Sequence, residues 1–116
     1  GAYLSWKEGR IVESKMETEA EGLATRIGYE LTQAVLRDLL DDFILVSEEE
    51  LADAVVLSIE KTHNLVEHAG AASLAAALKI KGTLAGRNVV LVMSGGNITV
   101  DQLKSALART STNGTS

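Results

Sequence analysis

The stretch from Glu17 to Asp42 carries Leu23, Ile27, Leu31 and Val35 at four-residue spacing, and Leu36, Leu39 and Leu40 widen the same stripe. Apolar positions recurring every three to four residues mark one face of a helix. A helix is therefore predicted over at least the second half of this stretch. Gly22 and Gly28 weaken the first half, because each costs about 1 kcal/mol relative to alanine inside a helix. Ahead of the stripe, residues 3–13 fit either a small hairpin turning at Gly9 or a helix that ends on that glycine. Behind it the periodicity changes. Phe43-Ile44-Leu45-Val46 is a short continuous apolar run of β-favouring residues, the pattern of a strand buried on both faces.

Ser47 followed by Glu50 is a capping box, in which the hydroxyl meets an orphan backbone donor and the glutamate reaches back. A helix is predicted to start there, with Leu51, Val55, Ile59 and Thr62 on one side. A further helix is predicted from Ala69 to Lys81, with Leu74, Ala75 and Leu78 inward and Gly82 as its stop. The run Ala71, Ala72, Ala75, Ala76 and Ala77 favours helix and allows a neighbour to approach closely. After the turn Leu84-Ala85-Gly86-Arg87, Asn88-Val89-Val90-Leu91-Val92-Met93 reads as a second doubly buried strand. The bend Ser94-Gly95-Gly96-Asn97 follows. A second capping box, Thr99 with Gln102, then opens a helix to about Ala108.

The order helix, strand, helix, helix, strand, helix predicts an α/β fold with parallel strands and a right-handed crossover. Two fully apolar strands need further strands beside them and helices on both faces. The expected architecture is thus a partial open parallel sheet flanked by helices, the rest of the layer coming from a homo-oligomer or from a larger protein. Residues 1–109 are expected to form one α/β unit, and the small polar residues 110–116 a disordered tail.

Composition narrows the function classes. The 116 residues include 11 basic and 16 acidic side chains, a net charge of −5, with no basic run to grip a nucleic-acid backbone. No apolar run approaches the ~20 residues of a membrane span, and no signal peptide opens the chain. With no cysteine there is neither a disulfide framework nor thiolate chemistry, which fits the cytoplasm. Proline is absent too, a gap that a short stretch cut from a longer protein can show.

The strongest local signal for chemistry is the apolar run ending in Ser94-Gly95-Gly96-Asn97 and followed by a capped helix. Open α/β sheets bind ligands at that edge, where glycines admit close backbone approach and a helix start offers free donors. An ordinary strand-to-helix turn has the same spacing. Glu60, His63 and Glu67, with His68 beside them, stand at helical spacings that could face a divalent ion, or could form a solvated helix face. No metal site is expected. Asp38, Asp41 and Asp42 read as solvated charges near a helix end, and Glu48, Glu49 and Glu50 as a first helical turn favoured by the dipole. No Ser/His/Asp order and no phosphate-loop motif is present.

Four blocks in order carry a more specific message: Glu17-Thr18-Glu19-Ala20-Glu21-Gly22-Leu23, Asp41-Asp42-Phe43-Ile44-Leu45-Val46-Ser47-Glu48-Glu49-Glu50, Glu67-His68-Ala69-Gly70-Ala71-Ala72 and Val92-Met93-Ser94-Gly95-Gly96-Asn97. From about Tyr3 to Leu107, the chain resembles the carboxyl-terminal half of the catalytic domain of pyridoxal-phosphate-dependent threonine/serine ammonia-lyases, a pattern serine racemases share. The resemblance implies part of a tryptophan-synthase-β-like (fold type II) architecture, with the cofactor held between two open α/β domains. It implies that Ser94, with Gly95 in the same block, hydrogen-bonds the pyridine nitrogen of pyridoxal phosphate, and that Glu67 lies near the ring. It also implies that Gly22 lines the substrate side, in a pair whose usual aspartate is here Glu21. A neutral hydroxyl at the ring nitrogen tempers the cofactor as an electron sink, enough for α-proton removal and β-elimination of water.

In this family the Schiff-base lysine and the loops that hold the cofactor phosphate lie in upstream blocks that have no match here. Lys7, Lys15, Lys61, Lys79, Lys81 and Lys104 all read as surface. The expectation is therefore a chain with no catalytic residue of its own, no pyridoxal phosphate bound when alone, and no lyase activity without a complementing amino-terminal half. The competing reading is a standalone binding or self-assembly module that takes a phosphorylated small molecule at the Ser94–Asn97 bend.

Overall fold

The computed structural model describes residues 2–9 and 29–112. Residues 10–13 and the Glu17–Leu23 block, with Gly22, lie outside the described residues. So do Ile27, Gly28, Lys15 and the last four residues of the expected tail. Contacts group the chain into two compact units, whose described parts are 2–9 with 29–45, and 46–112.

In the first unit, α1 (Ala2–Glu8) packs against α2 (Glu30–Leu39). Of the two readings offered for Gly9, the structure takes the helix end. Gly9 has φ +72° and its N–H bonds the Ser5 carbonyl at 3.0 Å, a conformation glycine adopts without a Cβ penalty. Phe43 meets Tyr3 edge-on at 5.3 Å and Trp6 at 5.7 Å, while the Lys7 ammonium lies over the Tyr3 ring. Tyr29 sits at the start of α2, so all four aromatic residues of the chain belong to this unit.

The predicted stripe on α2 exists, but its partner is not among the described residues. Leu31 is 80% and Leu39 is 72% exposed, Val35 is half exposed, and the buried residue of the helix is Gln33. Leu36 is half-buried. Periodicity finds the apolar face of a helix; what covers that face is set by other segments.

The second unit is built on α3 (Glu48–Thr62), which packs against α6 (Val100–Thr112), α4 (Ala72–Lys79) and the 3₁₀ turn Ala69–Ala71. The Ser47 capping box is present in both halves: Glu50 N–H donates to Ser47 Oγ at 3.0 Å, and Ser47 N–H to Glu50 Oε1 at 2.8 Å. Leu51 and Val55 are buried as the spacing predicts, Ile59 is half-buried and Thr62 is exposed. The helix ends at His63, whose φ of 57° places it in the left-handed region, with its N–H on the Ile59 carbonyl.

Small side chains dominate the core. Ala52 and Ala54 of α3, Ala71, Ala75 of α4 and Ala106 of α6 join Leu51, Val55 and Val66, and Val46, Leu74, Met93, Ile98 and Leu103 close around them. Without bulky groups between them, the helix backbones approach closely, and dispersion contacts accumulate over main-chain as well as side-chain atoms.

Two expectations are corrected here. Gly82 does not stop the helix that begins near Ala69. The break falls at Ile80 (φ −112°, ψ 22°), and Gly82 lies inside the short α5 (Lys81–Leu84). The chain then turns at Gly86 (φ +77°), with Arg87 N–H on the Leu84 carbonyl. Secondly, α6 runs to Thr112, past Ala108 and into the first three residues of the stretch expected to be a tail.

Among the described residues neither 43–46 nor 88–93 forms a strand ladder. A strand exists only through a neighbour that completes its hydrogen bonds, and none of the described segments offers one. Burial along 89–93 still alternates as in a strand: Leu91 and Met93 are half-buried, whereas Val90 is 90% and Val92 is 71% exposed. The described residues cover one face of this segment.

Candidate functional site

Two segments of the second unit meet at the bend that follows residue 93. One is the bend itself, Ser94-Gly95-Gly96-Asn97; the other is the turn of residues 65–71, which links the end of α3 to α4. Glu67 N–H donates to the Gly95 carbonyl at 3.1 Å, and the Glu67 carbonyl accepts from Ala71 N–H at 3.0 Å. With both backbone groups of Glu67 committed, its half-buried side chain is held toward Gly95. A Cβ on Gly95 would run into Glu67 Oε1 and Cδ.

Two more glycines allow the segments this proximity. A Cβ on Gly70 would stand 2.5 Å from the Gly95 carbonyl oxygen, and one on Gly96 would stand 2.9 Å from the Leu65 carbonyl oxygen. Both separations are shorter than any carbon–oxygen contact that packing tolerates. Glycine is required here for space, since none of the three has a positive φ.

On its far side the bend is closed by a three-residue turn, Ile98 N–H to the Gly96 carbonyl at 2.9 Å. It is also closed by the second capping box, in which Gln102 N–H donates to Thr99 Oγ1 at 3.1 Å and Thr99 N–H to Gln102 Oε1 at 3.0 Å. On its near side, Ser73 Oγ of α4 donates to the Val92 carbonyl at 2.9 Å.

Within this frame the Ser94 side chain is exposed and its hydroxyl bonds no other described residue. Of the residues singled out from the sequence, Ser94, Gly95 and Glu67 are brought together; Gly22 lies outside the described residues. His68 is buried in the turn, at 3% exposure, whereas Glu60 and His63 are exposed at the end of α3. Among the described residues no group of three or more His, Asp or Glu side chains is gathered for a metal ion.

Asp42 Oδ1 accepts from Phe43 N–H at 2.8 Å, which gives that carboxylate a local structural partner. The Glu50 carboxyl is in the α3 capping box. The Ser47 N–H and hydroxyl, with the Lys79 ammonium 3.6 Å away, hold it below its usual value against a smaller opposing effect of burial. Sequence reasoning passed over Gly70 and Ser73. Gly70 left a trace, as a lone glycine inside an alanine-rich helical pattern, where close backbone approach is one of few reasons to accept its cost.

No helix among the described residues is long and apolar enough to cross a membrane. The family model described as pyridoxal-phosphate dependent enzyme matches residues 2–95. The L-threonine ammonia-lyase of Geobacter sulfurreducens is 40% identical over 109 residues, which are 93% of this chain and 27% of that enzyme. The structure of the processed form of threonine deaminase isoform 2 from Solanum lycopersicum superposes with a TM-score of 0.86 at 26% identity, over 93% of this chain and 32% of that one. Maize serine racemase superposes with a TM-score of 0.77 at 30% identity, covering 94% of this chain and 36% of its own. The chain thus spans about a quarter to a third of the length of these relatives. It belongs to the pyridoxal-phosphate dependent enzyme family.

Proposed function

We propose that this chain supplies the wall against which the pyridoxal phosphate ring rests in a cytoplasmic threonine or serine ammonia-lyase, acting together with a complementing amino-terminal half. The observation that carries this reading is the exposed Ser94 hydroxyl, which bonds no described residue, on a bend too tightly packed to carry side chains at Gly95 and Gly96. A flat ring can lie against such a surface, and a hydroxyl free of protein partners can bond its nitrogen. When bound, the cofactor supplies an electron sink for removing the α-proton and then water from a hydroxy amino acid.

This chain's residues do the rest of what falls to them. Ser94 Oγ holds the ring nitrogen as a neutral hydrogen-bond partner. Gly95, whose missing side chain leaves room for Glu67, would keep the bend flat beside the ring, the half-buried Glu67 would border it, and Gly22 would line the substrate side. No residue of this chain is assigned the role of the lysine that bonds the cofactor. That role, the phosphate loops and the choice between threonine and serine belong to the complementing half. The four ordered sequence blocks, together with the relatives' activities, favour this reading over a standalone phosphate-binding module.

Complementation tests it. The chain is mixed with the remaining, amino-terminal portion of the Geobacter sulfurreducens relative and pyridoxal phosphate, and 2-oxobutanoate release from threonine is followed. Activity is expected on mixing and from neither part alone. Ser94→Ala is expected to lower turnover by about 10- to 100-fold, the loss of one hydrogen bond to a polarised ring. Turnover by this chain alone, or full turnover with Ser94→Ala, would refute the proposal.

A further inference from the structure

A serine in the first turn of a helix ordinarily bonds its own helix or solvent. Ser73 instead reaches across to the Val92 carbonyl, nineteen residues on, at 2.9 Å. That carbonyl lies two residues before Ser94. The Gly95 carbonyl, one residue after Ser94, accepts from Glu67 N–H. Between them Met93 packs its side chain on the alanine-rich core. The main chain is therefore fixed on both sides of Ser94, while the Ser94 hydroxyl itself is left free. A hydrogen-bonding group held this way loses little freedom when it engages a ligand, which is what preorganisation means in energetic terms.

We propose that Ser73 is a positioning residue for Ser94: its hydroxyl, through the Val92 carbonyl, forms with the Glu67 N–H a two-point clamp that sets the direction of the Ser94 hydroxyl. This rests on the reading of Ser94 as the ring-nitrogen partner. Ser73 touches neither ring nor substrate. Its contribution is to the direction in which Ser94 points.

The test uses the full 116-residue chain, isotopically labelled, as wild type, Ser73→Ala and Ser73→Thr. Nuclear magnetic resonance reads the carbonyl shift of Val92, the side-chain shifts of Ser94, and amide exchange along 46–112. Ser73→Ala is expected to move the Val92 and Ser94 signals and to speed exchange at the Glu67 amide, which bonds the Gly95 carbonyl, by about five- to tenfold, the loss of one hydrogen bond. Exchange in the middle of α3 is expected to stay at its wild-type rate. Ser73→Thr, which keeps the hydroxyl, restores the wild-type pattern. Unchanged Ser94 signals in Ser73→Ala would overturn the inference. So would a uniform rise in exchange across the unit, or a failure of threonine to rescue, because either would make Ser73 a general packing residue. Turnover of the complemented assembly bears on the other question: if Ser94→Ala leaves it unchanged, the cofactor reading fails, whatever the Ser73 variants do to the resonances of the chain.

Discussion

Replacing Gly70 with alanine sets two effects of opposite sign against each other. Gly70 lies in the 3₁₀ turn Ala69–Ala71 that leads into α4, with no positive φ, so alanine at this position relieves a chain-entropy cost of about 0.5–1 kcal/mol. Against that gain, the new methyl would stand 2.5 Å from the Gly95 carbonyl oxygen and 3.1 Å from the Gly95 nitrogen. An ordinary carbon–oxygen approach is about 3.3 Å, so the bend must withdraw by about 0.8 Å. Glu67 stands on the same turn as Gly70, and withdrawal from one is withdrawal from the other. The 3.1 Å bond from Glu67 N–H to the Gly95 carbonyl then passes out of useful range.

Losing that bond costs about 1 kcal/mol and the crowding a further ~1–3 kcal/mol, so the steric effect wins. Gly70→Ala is expected to be less stable than wild type by about 1–3 kcal/mol after the entropy gain is subtracted. Urea unfolding followed by far-ultraviolet circular dichroism measures it. Gly82→Ala is the control: Gly82 is helical, with nothing within 4 Å of where its Cβ would stand, and alanine there is expected to stabilise by about 0.5–1 kcal/mol. If Gly70→Ala were as stable as wild type or more so, the close packing of the two segments would not hold in solution.

Other expectations follow from single contacts. The Glu50 carboxyl is held below its ordinary value near 4.5, so its contribution to stability is complete above that value and fades as the pH falls through the lowered one. Glu50→Gln keeps a capping side chain but no titrating group, and is expected to flatten the acid limb of a stability-versus-pH curve. An unchanged acid limb would deny the carboxylate that role. Ser58 is fully buried in α3 with its hydroxyl unbonded to any described residue, so Ser58→Ala is expected to raise stability by about 0.5–2 kcal/mol. A loss in a thermal melt would mean that the hydroxyl has a partner after all.

What the sequence reveals depends on how far apart the interacting groups stand. Both capping boxes, Ser47 with Glu50 and Thr99 with Gln102, were legible because donor and acceptor lie three residues apart. Gly86 turning the chain belongs to the same class, whereas Gly9 fitted either a hairpin turn or the helix end it proves to be. The face of α2 was legible, but its cover was not: nothing near Leu31 or Leu39 in sequence states what packs on them. For the same reason the partners of the apolar runs 43–46 and 88–93 were not legible, since ladders and flanking layers are non-local. Ser94, Gly95 and Glu67 were named from their blocks, and the fold brings them together. The Ser73 tether and the Gly70 contact could not, because each joins segments about twenty residues apart that only folding brings into contact.

The pooling of Tyr3, Trp6, Tyr29 and Phe43 in the first unit gives the two halves different optical signatures. Tryptophan and tyrosine emission reports on the first unit alone. The second, with Ser94, is seen only through its peptide bonds. Melting curves recorded by emission and by circular dichroism therefore follow different populations of residues, and their coincidence or divergence tells whether the units unfold together. The unit bearing Ser94 also has no fluorophore of its own, so any light emitted from it when pyridoxal phosphate is added must come from the coenzyme.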